Sequence, residues 1–114
     1  MELQEHKAGD VVVLALTING HQRGQYEPFQ EVLRERLAAG ERHFIVNLAG
    51  CVWIDSAGLG ELIKAQVSVM RQGGKLVLAA VPSKIKDIMS VTNLTQVFEL
   101  HVDDAAALAR FKKL

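Results

Sequence analysis

The residues with the most chemistry to offer lie together in Ile54-Asp55-Ser56-Ala57-Gly58-Leu59-Gly60-Glu61-Leu62. A hydroxyl stands where an apolar segment ends and a helix is predicted to begin, and two glycines follow within the first turns. A helix start leaves N–H groups without intrahelical acceptors and carries partial positive charge. A phosphate on Ser56 would be held favourably there and would bring roughly −1.5 to −2 charges at neutral pH. Ser56 is thus a candidate modification site, one that could abolish a complex without unfolding the chain. Asp or Ser before a helix is also an ordinary N-cap. Neither Asp55 nor Ser56 has Glu or Gln three residues on, so there is no capping box. Gly58 and Gly60 each cost a helix about 0.5–1 kcal/mol relative to alanine. Tight packing on a sheet, or close approach by another molecule's backbone, must offset that.

Other chemistries fit less well. A serine hydrolase elbow needs glycine two before and two after its nucleophile, and Ile54 occupies the first position. Its base would have to be His21, His43 or His101, and a fluorophosphonate probe would tell such an enzyme from a docking module. Gly58-Leu59-Gly60 lacks the third glycine of a dinucleotide fingerprint, Ile63 standing there instead, and no phosphate-loop lysine follows. His6, His21, His43 and His101 have no metal-ligand spacing, and Cys51 has no second cysteine to complete a zinc set. No metal or cofactor is expected. Cys51 has no histidine close in sequence and reads as a buried thiol.

The elements that must position Ser56 follow from periodicity. Leu3 to Lys7 reads as a short strand, Gly9-Asp10 as a turn, and Val11 to Ile18 as a strong strand rich in β-branched residues. Strands this close pair as an antiparallel hairpin. Tyr26, Phe29, Val32, Leu33 and Leu37 recur at helical spacing, with Pro28 in the first turn and Gly40 as the stop. Phe44 to Leu48 reads as a strand followed by irregular chain to Ile54. A helix from Ala57 places Leu59, Leu62, Ile63, Val67 and Met70 on one face and ends at Gly73-Gly74. Lys75 to Ala80 is a strand. Ser83 caps a short helix with Ile85, Ile88 and Met89 inward. Gln96 to Val102 is a weak strand. Asp103 or Asp104 caps a last helix carrying Ala106, Leu108 and Phe111. The order ββαβαβαβα predicts an α/β fold: a mixed sheet, with an N-terminal antiparallel hairpin and then parallel strands, on which about four helices pack. Ligands and partners of such sheets meet the carboxyl ends of the parallel strands, the edge where Ser56 falls.

A chain of 114 residues reads as one domain, spanning 1–114. Thirteen basic and thirteen acidic side chains cancel, which offers no argument for a nucleic-acid partner. No apolar run approaches the about 20 residues of a membrane span. The N-terminus does not read as a signal peptide, and the expected location is the cytoplasm.

Asp55-Ser56-Ala57-Gly58-Leu59-Gly60, preceded by Val52-Trp53-Ile54, resembles the signature of the bacterial anti-sigma factor antagonists, the STAS domains. Gly20 after the second strand, Phe44-Ile45-Val46-Asn47-Leu48, Gly73-Gly74-Lys75-Leu76 and Asn93-Leu94 fall where that family has counterparts, so the resemblance covers almost the whole chain. It implies transcription regulation by partner switching. The unphosphorylated antagonist binds an anti-sigma factor that is also a serine kinase; phosphorylation dissociates the pair and a phosphatase resets it. The resemblance makes Ser56 the phosphoacceptor of a non-enzymatic phosphoprotein, with Asp55, Gly58 and Gly60 shaping the docking site. Related STAS domains serve instead as scaffolds of stress-signalling assemblies or as subunits of membrane transport complexes, binding constitutively.

The docking surface is expected to combine the Asp55–Gly60 turn, the 20–24 loop and the exposed side of the helix from Ala57, with Lys64 and Gln66 as exposed contacts. Trp53, beside the motif, is either a binding anchor or core packing under the loop. The family usually carries an aspartate shortly after the glycine that follows the second strand; here Arg23 stands near that position. A cation there can pair with a phosphate on Ser56 or with a carboxylate of a different partner, or can be an ordinary solvated loop charge.

Overall fold

The almost continuously apolar Val11–Ile18 segment, rich in β-branched residues, becomes the second strand of a five-stranded sheet. The computed structural model describes residues 1–20 and 23–113. Its strands are β1 (Glu2–Ala8), β2 (Val11–Ile18), β3 (His43–Cys51), β4 (Lys75–Ala79) and β5 (Leu100–His101). Its helices are α1 (Glu27–Ala38), α2 (Ser56–Arg71), α3 (Ser83–Val91) and α4 (Asp104–Phe111), with one 3-10 turn at Leu94–Gln96. The sheet order is β1-β2-β3-β4-β5. β1 pairs antiparallel with β2 across Gly9, whose φ of +64° suits glycine. All other pairs are parallel.

This order dictates where the helices lie. From β2 to β5 each new strand is added on the same side, and parallel crossovers are right-handed. The connecting helices α1, α2 and α3 therefore fall on one face. There Val12, Leu14, Leu16, Phe44, Val46, Leu48, Leu76 and Leu78 meet Phe29 and Leu33 of α1, Leu62 and Val69 of α2, and Ile85 and Met89 of α3. α4 follows the last strand and covers the other face, where Val11, Val13, Ile45, Val77 and Ala79 meet Ala107 and Phe111. Phe111 also stacks on His43, ring centroids 4.9 Å apart. α1 and α2 both start at the carboxyl edge of the parallel strands.

Several elements differ from the sequence reading. β3 runs on through Ala49-Gly50-Cys51 instead of giving way to irregular chain. It does so with an extra residue: Ala15 pairs with Asn47 but Thr17 with Gly50. The bulge brings the two strands so close that a Cβ on Gly50 would stand 2.7 Å from Thr17 Oγ1. Asn47 steadies the turn, accepting from the Ala49 N–H and donating to Asp104 Oδ1, both at 2.9 Å. Val67, Met70 and Ile88 point outward; α2 buries Gly58, Leu59, Leu62, Ala65, Gln66 and Val69 instead. Pro82, not Ser83, is the N-cap of α3. Only Leu100–His101 of the expected last strand is paired, because the 3-10 turn takes up Gln96. In α4, Ala107 and Phe111 are the buried positions.

Candidate functional site

The bulged end of β3 delivers the chain to the carboxyl edge. Cys51 is buried and its thiol donates to Leu16 O at 3.5 Å. Burial pushes its pKa up to about 11 despite an opposing backbone hydrogen bond at Ile18, so it stays protonated and unreactive at neutral pH. Val52 and Trp53 then emerge, 74% and 46% exposed, and Ile54 turns back into the core. Trp53 is thus half-exposed, neither fully in solvent nor sealed under the loop.

α2 starts with a division of labour. Asp55 is the N-cap, in extended conformation (φ −100°, ψ −179°), and its Oδ1 accepts from the Gly58 N–H at 2.7 Å. Its carbonyl takes the Leu59 N–H at 3.0 Å. Ser56 is the first helical residue and is exposed. The carboxylate supplies the cap, and the hydroxyl is left facing solvent at the positive end of the helix.

The two glycines are held for different reasons. A Cβ on Gly58 would collide with the Tyr26 hydroxyl and stand 2.6 Å from Ile54 Cγ1. Gly58 is buried because the Tyr26 ring packs beneath this turn. Gly60 is exposed, and a Cβ there would meet nothing within 4 Å. Packing among the described residues gives no reason for glycine at position 60.

Tyr26 was legible only as an apolar position of the expected helix; it is the N-cap of α1. Burial, then the nearby Asp55, Cys51 and Glu61, push its phenol pKa up to about 12, which keeps it neutral. Its neighbours form a wall: Arg23, Gly24, Gln25 and Glu27 face Ala57 and Glu61 around a depression of about 240 Å³. Arg23 is exposed, whereas Gln25 is 8% exposed, its Nε2 donating to Gly20 O at 3.3 Å. Of the expected 20–24 loop, His21 and Gln22 lie outside the described residues. Further along, the buried Gln30 of α1 donates to Glu61 O at 2.9 Å and Glu61 Oε2 at 2.7 Å, tying α1 to α2. The sequence signal for Gln30 was its place beside Phe29 on the inner face.

Lys64 is exposed on α2, as expected. Gln66 is not: it is 7% exposed and its Nε2 donates to Val97 O at 2.9 Å. It replaces an apolar residue on the inner stripe of α2 to satisfy a carbonyl, and is withdrawn from the exposed contacts. The structure thus gathers Arg23, Trp53, Asp55, Ser56, Gly58 and Gly60 at one edge, with Lys64 two turns down the same helix.

The described histidines lie elsewhere. His43 begins β3, eight residues before its last, and stacks on Phe111; His101, in β5, faces Glu99 at 3.8 Å. His21, also named as a possible base, is outside the described residues. Among the described residues no cluster of three or more His, Cys, Asp or Glu side chains could hold a metal, and no helix is long and apolar enough to cross a membrane.

Residues 23–107 match the model of the STAS domain. A STAS-domain containing protein of Pseudomonas aeruginosa (strain UCBPP-PA14) is 25% identical over 77 residues, 68% of this chain and 75% of that protein. An anti-sigma factor antagonist from Mycobacterium paratuberculosis superposes with a TM-score of 0.81 at 15% identity, covering 96% of this chain and 92% of the other. The phosphorylated form of the Bacillus cell fate determinant SpoIIAA does so with a TM-score of 0.75 at 15% identity, covering 96% and 99%. At such identities the likeness to solved structures is one of fold.

Proposed function

The chain belongs to the STAS domain family, and on that footing we propose that it is an anti-sigma factor antagonist working by partner switching in the cytoplasm. Its unphosphorylated form binds an anti-sigma factor that is also a serine kinase. Phosphorylation of Ser56 dissociates the pair, and a phosphatase restores it. Catalysis belongs to the partners.

The observation that carries this reading is that Asp55 caps α2 and leaves the Ser56 hydroxyl exposed at the helix start. A serine relieved of capping can be modified at little cost to the fold. Its phosphate would sit at the favourable end of the helix, beside Asp55, where any docked surface must accept the added charge. Gly60 supports the docking half, since its missing side chain gives another backbone room to approach α2. Val52 and Trp53 offer apolar area at the same edge.

The test is intact-mass spectrometry of the protein from its native cells, with fragmentation to place the phosphate, and partner capture with Ser56→Ala and Ser56→Asp. Phosphate on Ser56, constitutive capture by the alanine variant and loss by the aspartate variant are expected. Absence of phosphate across growth and stress conditions, with equal capture by both variants, would refute the switch and leave a constitutive scaffold or transport-complex subunit.

A further inference from the structure

We propose that a phosphate on Ser56 is held in cis by Arg23, whose guanidinium bridges it to the carbonyl oxygen of Gln25. This rests on the reading of Ser56 as phosphoacceptor and adds what the phosphate meets within its own chain.

The depression beside Ser56 brings together a cation and an acceptor in want of a donor. Arg23 lines it along with Ala57, the residue after Ser56. Arg23 is exposed and, among the described residues, enters no ion pair, whereas Arg36, Lys7, Lys75 and Arg110 each hold a carboxylate. Gln25 lines the same depression and is more than nine-tenths buried, and among the described residues its Oε1 has no hydrogen-bond partner. The bond from Gln25 Nε2 to Gly20 O fixes which way the amide faces, so its carbonyl oxygen is the atom left over. A buried acceptor without a donor is costly. Guanidinium has five N–H donors in a planar fork. It can donate to Gln25 Oε1 and still present a pair of N–H groups to a phosphate. An ammonium has no such fork.

The other charges here oppose a phosphate. Glu27 and Glu61 line the depression, and Asp55 precedes Ser56. Tyr26, the remaining titratable wall residue, is neutral at physiological pH. Carboxylates alone would raise the second pKa of the phosphate above its ordinary value of about 6, and a guanidinium in contact lowers it.

The experiment installs phosphoserine at position 56 by genetic code expansion, with no kinase or partner present, and titrates it by 31P NMR. A free peptide of residues 52–60 bearing the same phosphoserine is the reference, and circular dichroism confirms that every variant is folded. The clamp predicts a phosphate pKa about half a pH unit or more below the peptide's, rising in Arg23→Gln, where only the helix start is left to hold the dianion. Arg23→Lys should recover only part of the depression. A pKa at or above the peptide value, or one that Arg23→Gln leaves unchanged, overturns the clamp. An equal depression with lysine overturns the bridge to Gln25. Because the phosphate is installed, either result stands apart from whether native cells phosphorylate Ser56.

Discussion

Replacing the two glycines of α2 by alanine, one at a time, separates what the fold requires from what a partner requires. Both substitutions gain the same helix propensity, about 0.8–1.0 kcal/mol. At Gly60 none of the described residues stands within 4 Å of the new methyl, so Gly60→Ala keeps the whole gain, and the midpoint of thermal unfolding rises by about 4 °C. At Gly58 the methyl strikes the Tyr26 hydroxyl and comes within 2.6 Å of Ile54 Cγ1. Both belong to packed residues, and overpacking of this kind costs about 1–3 kcal/mol. Propensity cancels between the variants, so Gly58→Ala should be less stable than Gly60→Ala by about 1–3 kcal/mol, the overpacking cost alone. Urea unfolding followed by circular dichroism measures this difference directly. Partner capture supplies the second readout: Gly60→Ala, though more stable, should bind less because its methyl fills the space kept for another backbone. If the two variants are equally stable, the packing account of Gly58 is wrong. If Gly60→Ala binds as well as the parent, the docking account of Gly60 is wrong.

Further outcomes follow from the same geometry. Asp55→Ala should lose about 1 kcal/mol with the cap, while Asp55→Asn, which keeps an acceptor oxygen, should lose much less; urea midpoints distinguish them. Gln66→Ala strands the Val97 carbonyl and opens the α2 face, and should cost about 1–3 kcal/mol without weakening partner capture, since Gln66 is buried. Acid stability should depend on Glu99. Burial raises its pKa, but hydrogen bonds from Arg110 and Lys75 outweigh this and hold it below 4.5. A carboxylate depressed in the fold contributes stability that is present above its unfolded pKa and lost as pH falls through the folded one. Glu99→Gln should therefore lower stability at neutral pH and flatten its loss below about pH 4.5, as read by unfolding midpoints across pH.

What was legible in the sequence depended on how much one kind of signal dominated locally. Val11–Ile18 opens on three β-branched valines and appears as a strand with the expected bounds. Gly50 misled because a glycine in an apolar run reads as a break. Here it makes possible the close approach of β2 and β3 that lets the strand continue. α2 was found as a helix, but its inner stripe includes Gly58, Ala65 and Gln66, which carry little apolar signal, so Val67 and Met70 drew the predicted face outward. At the site, the Asp55–Ser56 junction was legible because strand end, cap and helix start are all local. Tyr26 was not, since its importance comes from contact with Gly58 across about 30 positions of chain; nor was Gln25, a polar loop residue whose burial only the folded chain creates. Sequence alone could not choose between packing and docking as the reason for Gly58 and Gly60; the space around each differs, and that is a property of the fold.

The strand order has a practical corollary for handling this protein. All three helices on the main face return the chain to the amino ends of the parallel strands, two of them through the turns at Gly40 and Gly73, and the Gly9-Asp10 hairpin lies at the same end of the sheet. Those turns face away from Ser56, and Asp10 is exposed beside Gly9, which must itself stay glycine for its positive φ. A fluorophore, an affinity handle or an inserted peptide placed at the Gly9-Asp10 hairpin would leave the opposite edge unobstructed. Immobilised through that hairpin, every molecule on a sensor surface would present the start of α2 to solution in the same orientation.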